Sequence, residues 1–407
     1  MSTPDYQQAL GRKIAAERHR RGLSQPELAR LIGRSVAWVS QVERGVRRID
    51  RMSVLEQVAE ALDVPLAELA AEAPIIAAVT EESPAAADLR LVLSGVHSLR
   101  AMLNGHAAPD LAGLRARAAK AWDLAHASRY ADLTGLLRAL IPDLETAARA
   151  LPDPAGRAEA CELAAAAYQA CSAALAKLGE PEAAWIAADR AMAAAERAGN
   201  PLLVAAGAYR LVFVFLSARH HAQAEETART AADALWHVAD DGDPGAMSLW
   251  GALTLQRAIT AARTGDAVAA YDHLRRAAEM AGRLGPGRND YNTEFGPGNA
   301  ALTEISVAVE LGDAGRAIRA AGAIDTAGLS PERHARTLID VARAYAQRRQ
   351  VDHAVAALRQ AEDITPEQVR GHPLARQIVA DLLTMQDPPG DELRALSVRA
   401  GATRVRD

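Results

Sequence analysis

A chain of 407 residues, half of them hydrophobic, exceeds a typical single domain and can fill a sizeable core. Its two cysteines exclude a disulfide scaffold, and no run approaches the ~20 apolar residues of a membrane span. The net charge of −5 is uneven: residues 1–51 hold eleven Lys or Arg against five Asp or Glu, a net of +6, which leaves −11 for the rest.

Leu10 and Ile14 mark a first helix that ends near Arg21 and Gly22. Ser24 and Glu27 form an S-x-x-E capping box for a second helix, with Pro26 in its first turn, where a missing N–H costs little. Small Ala29 lies where two crossing backbones come close, and Gly33 suits a left-handed turn. Ser35 caps a third helix, whose Val39 and Val42 seal it against the second. A further box, Ser53 with Glu56, opens the apolar run Leu55, Val58, Ala59, Leu62. Pro65 begins a fifth short helix carrying Leu66 and Leu69.

The stretch LSQPELARLIGRSVAWVSQVERG, followed by LEQVAEALDVPLAEL, resembles the xenobiotic-response-element type of helix-turn-helix, with the lambda-repressor-like fold. The resemblance covers residues 6–70 and implies a DNA-binding head. Gln25 matches the family's glutamine at the start of the second helix, which contacts the DNA backbone or a base edge. Val36, Ala37 and Gln41 match base-facing positions of the recognition helix, within a stretch Ser35–Arg44 that also carries Ser40. Gln41 is the clearest hydrogen-bonding reader and can bind adenine in a bidentate way; Val36 and Ala37 can meet thymine methyls. Trp38 either packs on sugar or a thymine methyl, or lies over the second helix. Arg44, Arg47, Arg48 and Arg51 follow the recognition helix, where phosphate contacts bring affinity and salt dependence.

Residues 74–88, with two prolines and an acidic pair, read as a linker between a head at 1–73 and a body at 89–407. The body is alanine-rich and helical, with no persistent strand alternation. An alanine stands five residues past each of five turn positions: Gly179 with Ala184, Arg219 with Ala224, Gly265 with Ala270, Gly312 with Ala317, and Arg349 with Ala354. Alanine lets consecutive helices nest, so the fixed offset predicts stacked helix pairs. The pattern resembles tetratricopeptide repeats, and helices at about 110–150 begin the same superhelix. Cys161 and Cys171 fall on different sides of one helix and read as small buried residues.

GPGRNDYNTEFGPGN, residues 285–299, breaks the rhythm. A loop of this length inside a compact repeat tends to be functional. Arg288, Asp290 and Glu294 offer charges, Asn289 and Asn299 amides, Tyr291 and Phe295 flat apolar faces; together they suit a peptide or small polar effector. The plainer reading is an ordered connector capping a helix at Asn299. The segment also resembles one in actinobacterial regulators that join this kind of head to a repeat body, although Gly298 stands where a side chain is expected. His220-His221 has no metal-ligand partner at the right spacing, and neither Gly-x-Gly pair follows a strand, so no metal, cofactor or catalytic motif emerges.

The expectation is an all-α protein: a five-helix head of lambda-repressor type followed by a tetratricopeptide-like superhelix. The corresponding function is a sequence-specific transcriptional regulator, cytoplasmic and not an enzyme. It binds double-stranded operator DNA, expected to be palindromic, as a homodimer under control of a peptide or small-molecule effector. The alternative is a DNA-tethered scaffold that docks a protein in the repeat groove.

Overall fold

The computed structural model describes residues 3–47, 49, 52–64, 84–94, 110–324, 329–386 and 388–402; among them are twenty α-helices and no strand. In the head, α1 (Thr3–Arg20), α2 (Gln25–Leu31), α3 (Val36–Glu43) and α4 (Met52–Ala61) enclose a core of Leu10, Ile14, Leu28, Ala29, Val39, Val42, Val58 and Leu62. The local signals act as their chemistry requires. Ser24 and Glu27 cap each other's backbone reciprocally, Ser35 accepts from the Trp38 amide, and Gly33 turns at φ +61°. The fourth helix starts at Met52, so Ser53 lies inside it and not at its cap. The expected fifth helix from Pro65, Arg48, Arg51 and residues 74–83 lie outside the described residues.

A buried ion pair ties the head together. Arg18 on α1 holds Glu43 on α3 through Nε at 2.5 Å and Nη2 at 3.0 Å, and donates to the Leu23 carbonyl at 2.7 Å. The Glu43 bond and its charge raise the pKa of the guanidinium against the opposing pull of burial. Gln25 on α2 donates to the same carboxylate at 2.8 Å, so three helices share one anion.

The next helix, α5 (Pro84–Val92), includes residues 84–88 that read as linker. The body continues with α6 (Leu111–His126), α7 (Tyr130–Ala150), α8 (Pro154–Lys177), α9 (Pro181–Ala198), α10 (Pro201–Ser217), α11 (His221–Asp240), α12 (Pro244–Thr264) and α13 (Ala267–Leu284). It ends with α14 (Pro297–Leu311), α15 (Ala314–Gly322), α16 (Pro331–Gln347), α17 (Val351–Ile364), α18 (Pro366–Gly371), α19 (Pro373–Met385) and α20 (Asp391–Arg399). Several begin at a cap followed by proline, as at Asp153-Pro154, Asn200-Pro201, Asp243-Pro244 and Ser330-Pro331. All five turn positions have positive φ: Gly179 +83°, Arg219 +64°, Gly265 +91°, Gly312 +84° and Arg349 +59°. Each alanine five residues on is fully buried, where the two arms of a hairpin meet. Cys161 and Cys171 are free thiols on α8.

The superhelix curls until its early hairpins meet its late ones. The Glu367 carboxylate accepts from the Tyr130 and Ala131 amides at 2.9 and 3.3 Å, capping α7, whose own N-cap residue Arg129 makes no such bond. Ser128 donates to Gln368 at 2.9 Å, and Lys177 pairs with Glu332 at 3.0 Å. Burial alone raises the Glu332 carboxyl, but Lys177 and Arg333 overcome it and hold its pKa at about 2. Because the folded value lies below the unfolded one, this stabilisation is complete above the ordinary carboxylate range and is lost as pH falls toward 2. Glu332→Gln is expected to cost about 3–5 kcal/mol at pH 7, since it strands a partly buried ammonium. It should also lose less stability than the parent between pH 5 and 2, both measured by urea unfolding.

Candidate nucleic-acid interface

A helix leaves its last carbonyls without intrahelical partners, and a left-handed glycine turn satisfies two of them. At the end of α14 the amides of Gly312 and Asp313 take Val309 O and Ala308 O, which leaves Glu310, Leu311 and Gly312. The helix-turn-helix takes these three. Arg47 Nη2 donates to Glu310 O at 2.8 Å, Ser35 Oγ to Leu311 O at 2.8 Å, and Gln41 Nε2 to Gly312 O. At the end of α12 the pattern repeats, with Arg34 Nη1 donating to Arg263 O at 3.0 Å. These carbonyls carry the negative end of the helix dipoles, and the Glu310 carboxylate adds a full charge beneath them. Burial alone raises that carboxyl; the guanidinium groups of Arg343 and Arg263, with Arg47 beyond them, hold it well below the usual range. Donors suited to phosphates and base edges thus face a protein surface with the polarity of DNA.

The sequence-predicted reading residues divide into two sets. Gln41 is buried, and Ser35 and Arg47 are partly so, with donor atoms engaged by the body. Val36, Ala37 and Arg44 are exposed, and Ser40 is half-buried and accepts from Arg44 Nε at 3.1 Å. Trp38 is 5% exposed, packed in the head core with the Arg34 guanidinium 5.6 Å from its ring centre. Gln25 is held by Glu43.

Glycine marks where the turns are covered. A Cβ on Gly265 would collide with Gly33 O, one on Gly312 with Arg47 Nη1, and one on Gly179 would lie 2.7 Å from Pro373 Cγ. At the sibling positions Arg219 and Arg349 the turn is exposed and carries a long side chain in the same left-handed region. The turn itself therefore tolerates a side chain; the docked head does not. Arg34, Arg263, Glu310 and Gly312 escaped sequence reasoning, although this choice between glycine and arginine was visible.

The loop before α14 is tied down from within the body. Arg210, fully buried with its guanidinium 4.6 Å from the Trp122 ring centre and 4.8 Å from that of Tyr209, donates to Asn292 O at 2.8 Å. Arg333 donates to Thr293 O at 2.8 Å, Glu294 at 3.0 Å and Asn299 Oδ1 at 2.6 Å. Arg288 pairs with Asp290, which also accepts from Ser248, and Asn289 Oδ1 accepts from the Glu294 amide. Phe295 is buried in a niche over Gly251 that a Cβ would fill, and Tyr291 packs near Gly245. Tyr291, Asn292 and Glu294 all have φ near +50°, a cost of about 1–3 kcal/mol each that these anchors offset. The helix that follows begins at Pro297 with Gly296 at its N-cap, so Asn299 lies inside it and is not the cap. No group of three His, Cys, Asp or Glu suited to a metal occurs among the described residues, and no described helix is long and apolar enough to cross a membrane.

Residues 9–71 match the family described as "Helix-turn-helix domain", so the head is a helix-turn-helix domain. The crystal structure of Bacillus thuringiensis PlcR in complex with the peptide PapR7 and DNA is similar at 15% identity, covering 68% of this chain and 95% of that one, with a TM-score of 0.28. No curated protein matches the chain.

Gly265→Arg copies the residue that two sibling hairpins use at this turn, so the repeat is expected to fold with unchanged helical circular dichroism. It should release the head, seen as at least tenfold faster amide exchange across residues 33–47. Unchanged protection there would show that the head does not depend on this contact.

Proposed function

We propose that the chain is a sequence-specific DNA-binding transcriptional regulator whose helical body holds the reading helix in a closed, DNA-incompetent position until an effector shifts the balance. The observation that carries this reading is the engagement of Ser35, Gln41 and Arg47 by the carbonyl end of α14. The same donors cannot serve the body and a major groove at once. In the released head, α3 enters the major groove with Gln41 as base reader, Val36 and Ala37 toward thymine methyls, and Ser35, Ser40 and Trp38 along the groove wall. Gln25, Arg44, Arg47 and Arg48 set register on phosphates.

The joint is weak enough to switch. Each hydrogen bond contributes about 0.5–3 kcal/mol, and each stranded buried polar atom offsets about 1–3; Gln41 Oε1 and Arg34 Nε are both stranded. A net preference of a few kcal/mol lies within the typical allosteric coupling of 1–3 kcal/mol.

A single head makes few base contacts, so two heads on half-sites about one helical turn apart supply the affinity, which implies a homodimer and a palindromic operator. The body carries the effector site and the dimer contact, and the effector is a peptide or small molecule. The scaffold reading differs in its output: a docked protein with no change in DNA affinity.

Sites selected by the Gly265→Arg protein supply the operator. On that operator the parent is expected to bind about tenfold more weakly than Gly265→Arg. In the released background, Gln41→Ala should relax base preference at one position by about 1–3 kcal/mol, and Arg44→Ala should lower affinity evenly and reduce the salt slope by about 1. Equal affinity of parent and Gly265→Arg would remove the closed state from this reading.

A further inference from the structure

Between the head and the body lies a cavity of about 140 Å³ that the hydrogen-bonded joint leaves unfilled. Its walls come from both partners. Trp38, Ile49 and Val54 of the head and Ile378 and Met385 of the body supply apolar surface. Around them stand four arginines, Arg34, Arg47, Arg263 and Arg343, against two carboxylates, Glu310 and Asp381, so the described lining is cationic by two charges. Two polar atoms on this lining are buried without a hydrogen-bond partner: Arg34 Nε, a donor, and Gln347 Oε1, an acceptor. Gln347 is only 8% exposed, and its amide nitrogen is committed to Val309 O at 3.1 Å. A buried acceptor in that position has a standing cost that a donor in the cavity would remove.

We propose that this cavity is a binding site for a small aromatic carboxylate carrying a hydroxyl or amino group. The assignment rests on the closed-head reading above. A cavity of about 150 Å³ accommodates a single benzene ring, so a ring fits here and a peptide does not. The ring lies against Trp38 and the aliphatic walls, and the carboxylate answers the excess of guanidinium charge, where planar bidentate pairing is strongest. The hydroxyl or amino hydrogen meets Gln347 Oε1. Because head and body each form part of the wall, the ligand binds the closed arrangement and lowers DNA affinity by the factor by which DNA lowers its own.

The probe is 4-hydroxybenzoate, with benzoate and phenol as partial ligands, titrated into the full-length, DNA-free protein by calorimetry. Sub-millimolar binding is expected for 4-hydroxybenzoate, at least tenfold weaker binding for each partial ligand, and loss of the hydroxyl's advantage in Gln347→Leu. Gly265→Arg, which opens the joint, should bind none of the three. Absence of heat up to 10 mM (about the weak end of specific small-ligand affinity), or equal binding by the parent, Gln347→Leu and Gly265→Arg, overturns the site. Binding that requires Gln347 but leaves operator affinity unmoved at saturation overturns the closed-head reading and supports the site. A rise in operator affinity in Gly265→Arg without any ligand heat in the parent does the reverse.

Discussion

Everything distinctive about this molecule depends on the unpaired carbonyls at the ends of two helices. A left-handed turn closes each hairpin of the body and satisfies only two of the carbonyls behind it. At α14 the remainder, Glu310 to Gly312, accept from Arg47, Ser35 and Gln41. A helix-turn-helix is built to present donors to negatively polarised oxygen. A helix C-terminus presents such oxygen, and here the buried, ionised Glu310 reinforces it. The head is therefore complementary to the body for the same physical reason that it is complementary to DNA.

The parts of the fold legible in the sequence were those governed by local chemistry. Ser24 with Glu27, Gly33 and Ser35 each act within a few residues of themselves. The alanine five past each turn is legible because helix crossing demands a small residue at a constant offset. The joint was not legible, since hydrogen bonds to backbone carbonyls leave no mark on the residue that accepts. Gly312 O is an acceptor because of where it lies, not because it belongs to glycine. One indirect mark existed: Gly265 and Gly312 stand where siblings carry Arg219 and Arg349, and the missing side chains are those that would strike the head. Tetratricopeptide-like periodicity likewise said nothing of how far the superhelix curls, which depends on distant pairs such as Tyr130 with Glu367.

The loop at 285–296 illustrates the same limit from the other side. Its polar and aromatic residues have the composition of a ligand grip, and composition cannot tell an external ligand from an internal one. In the fold, Arg210 and Arg333 reach the loop's carbonyls from beneath, Phe295 fills the niche over Gly251, and Arg288 turns to Asp290. The charges that suggested recognition are answered by the protein's own groups.

These two regions sit at opposite ends of α14, fifteen residues or about 22 Å long, and they differ in what it takes to move them. Displacing the loop breaks the hydrogen bonds of two buried arginines and exposes Phe295, a loss of several kcal/mol before any gain is counted. Its effect must then cross a helix whose Ile305, Val307, Ala308 and Val309 are fully buried and fixed in the core. The joint needs no such relay. Its bonds are few, two of its polar atoms are stranded, and its cavity opens directly on Arg34, Trp38 and Arg47. A ligand that satisfies those atoms acts on the reading helix itself. On energetic grounds, control of this head is exerted most directly at the surface where it is held.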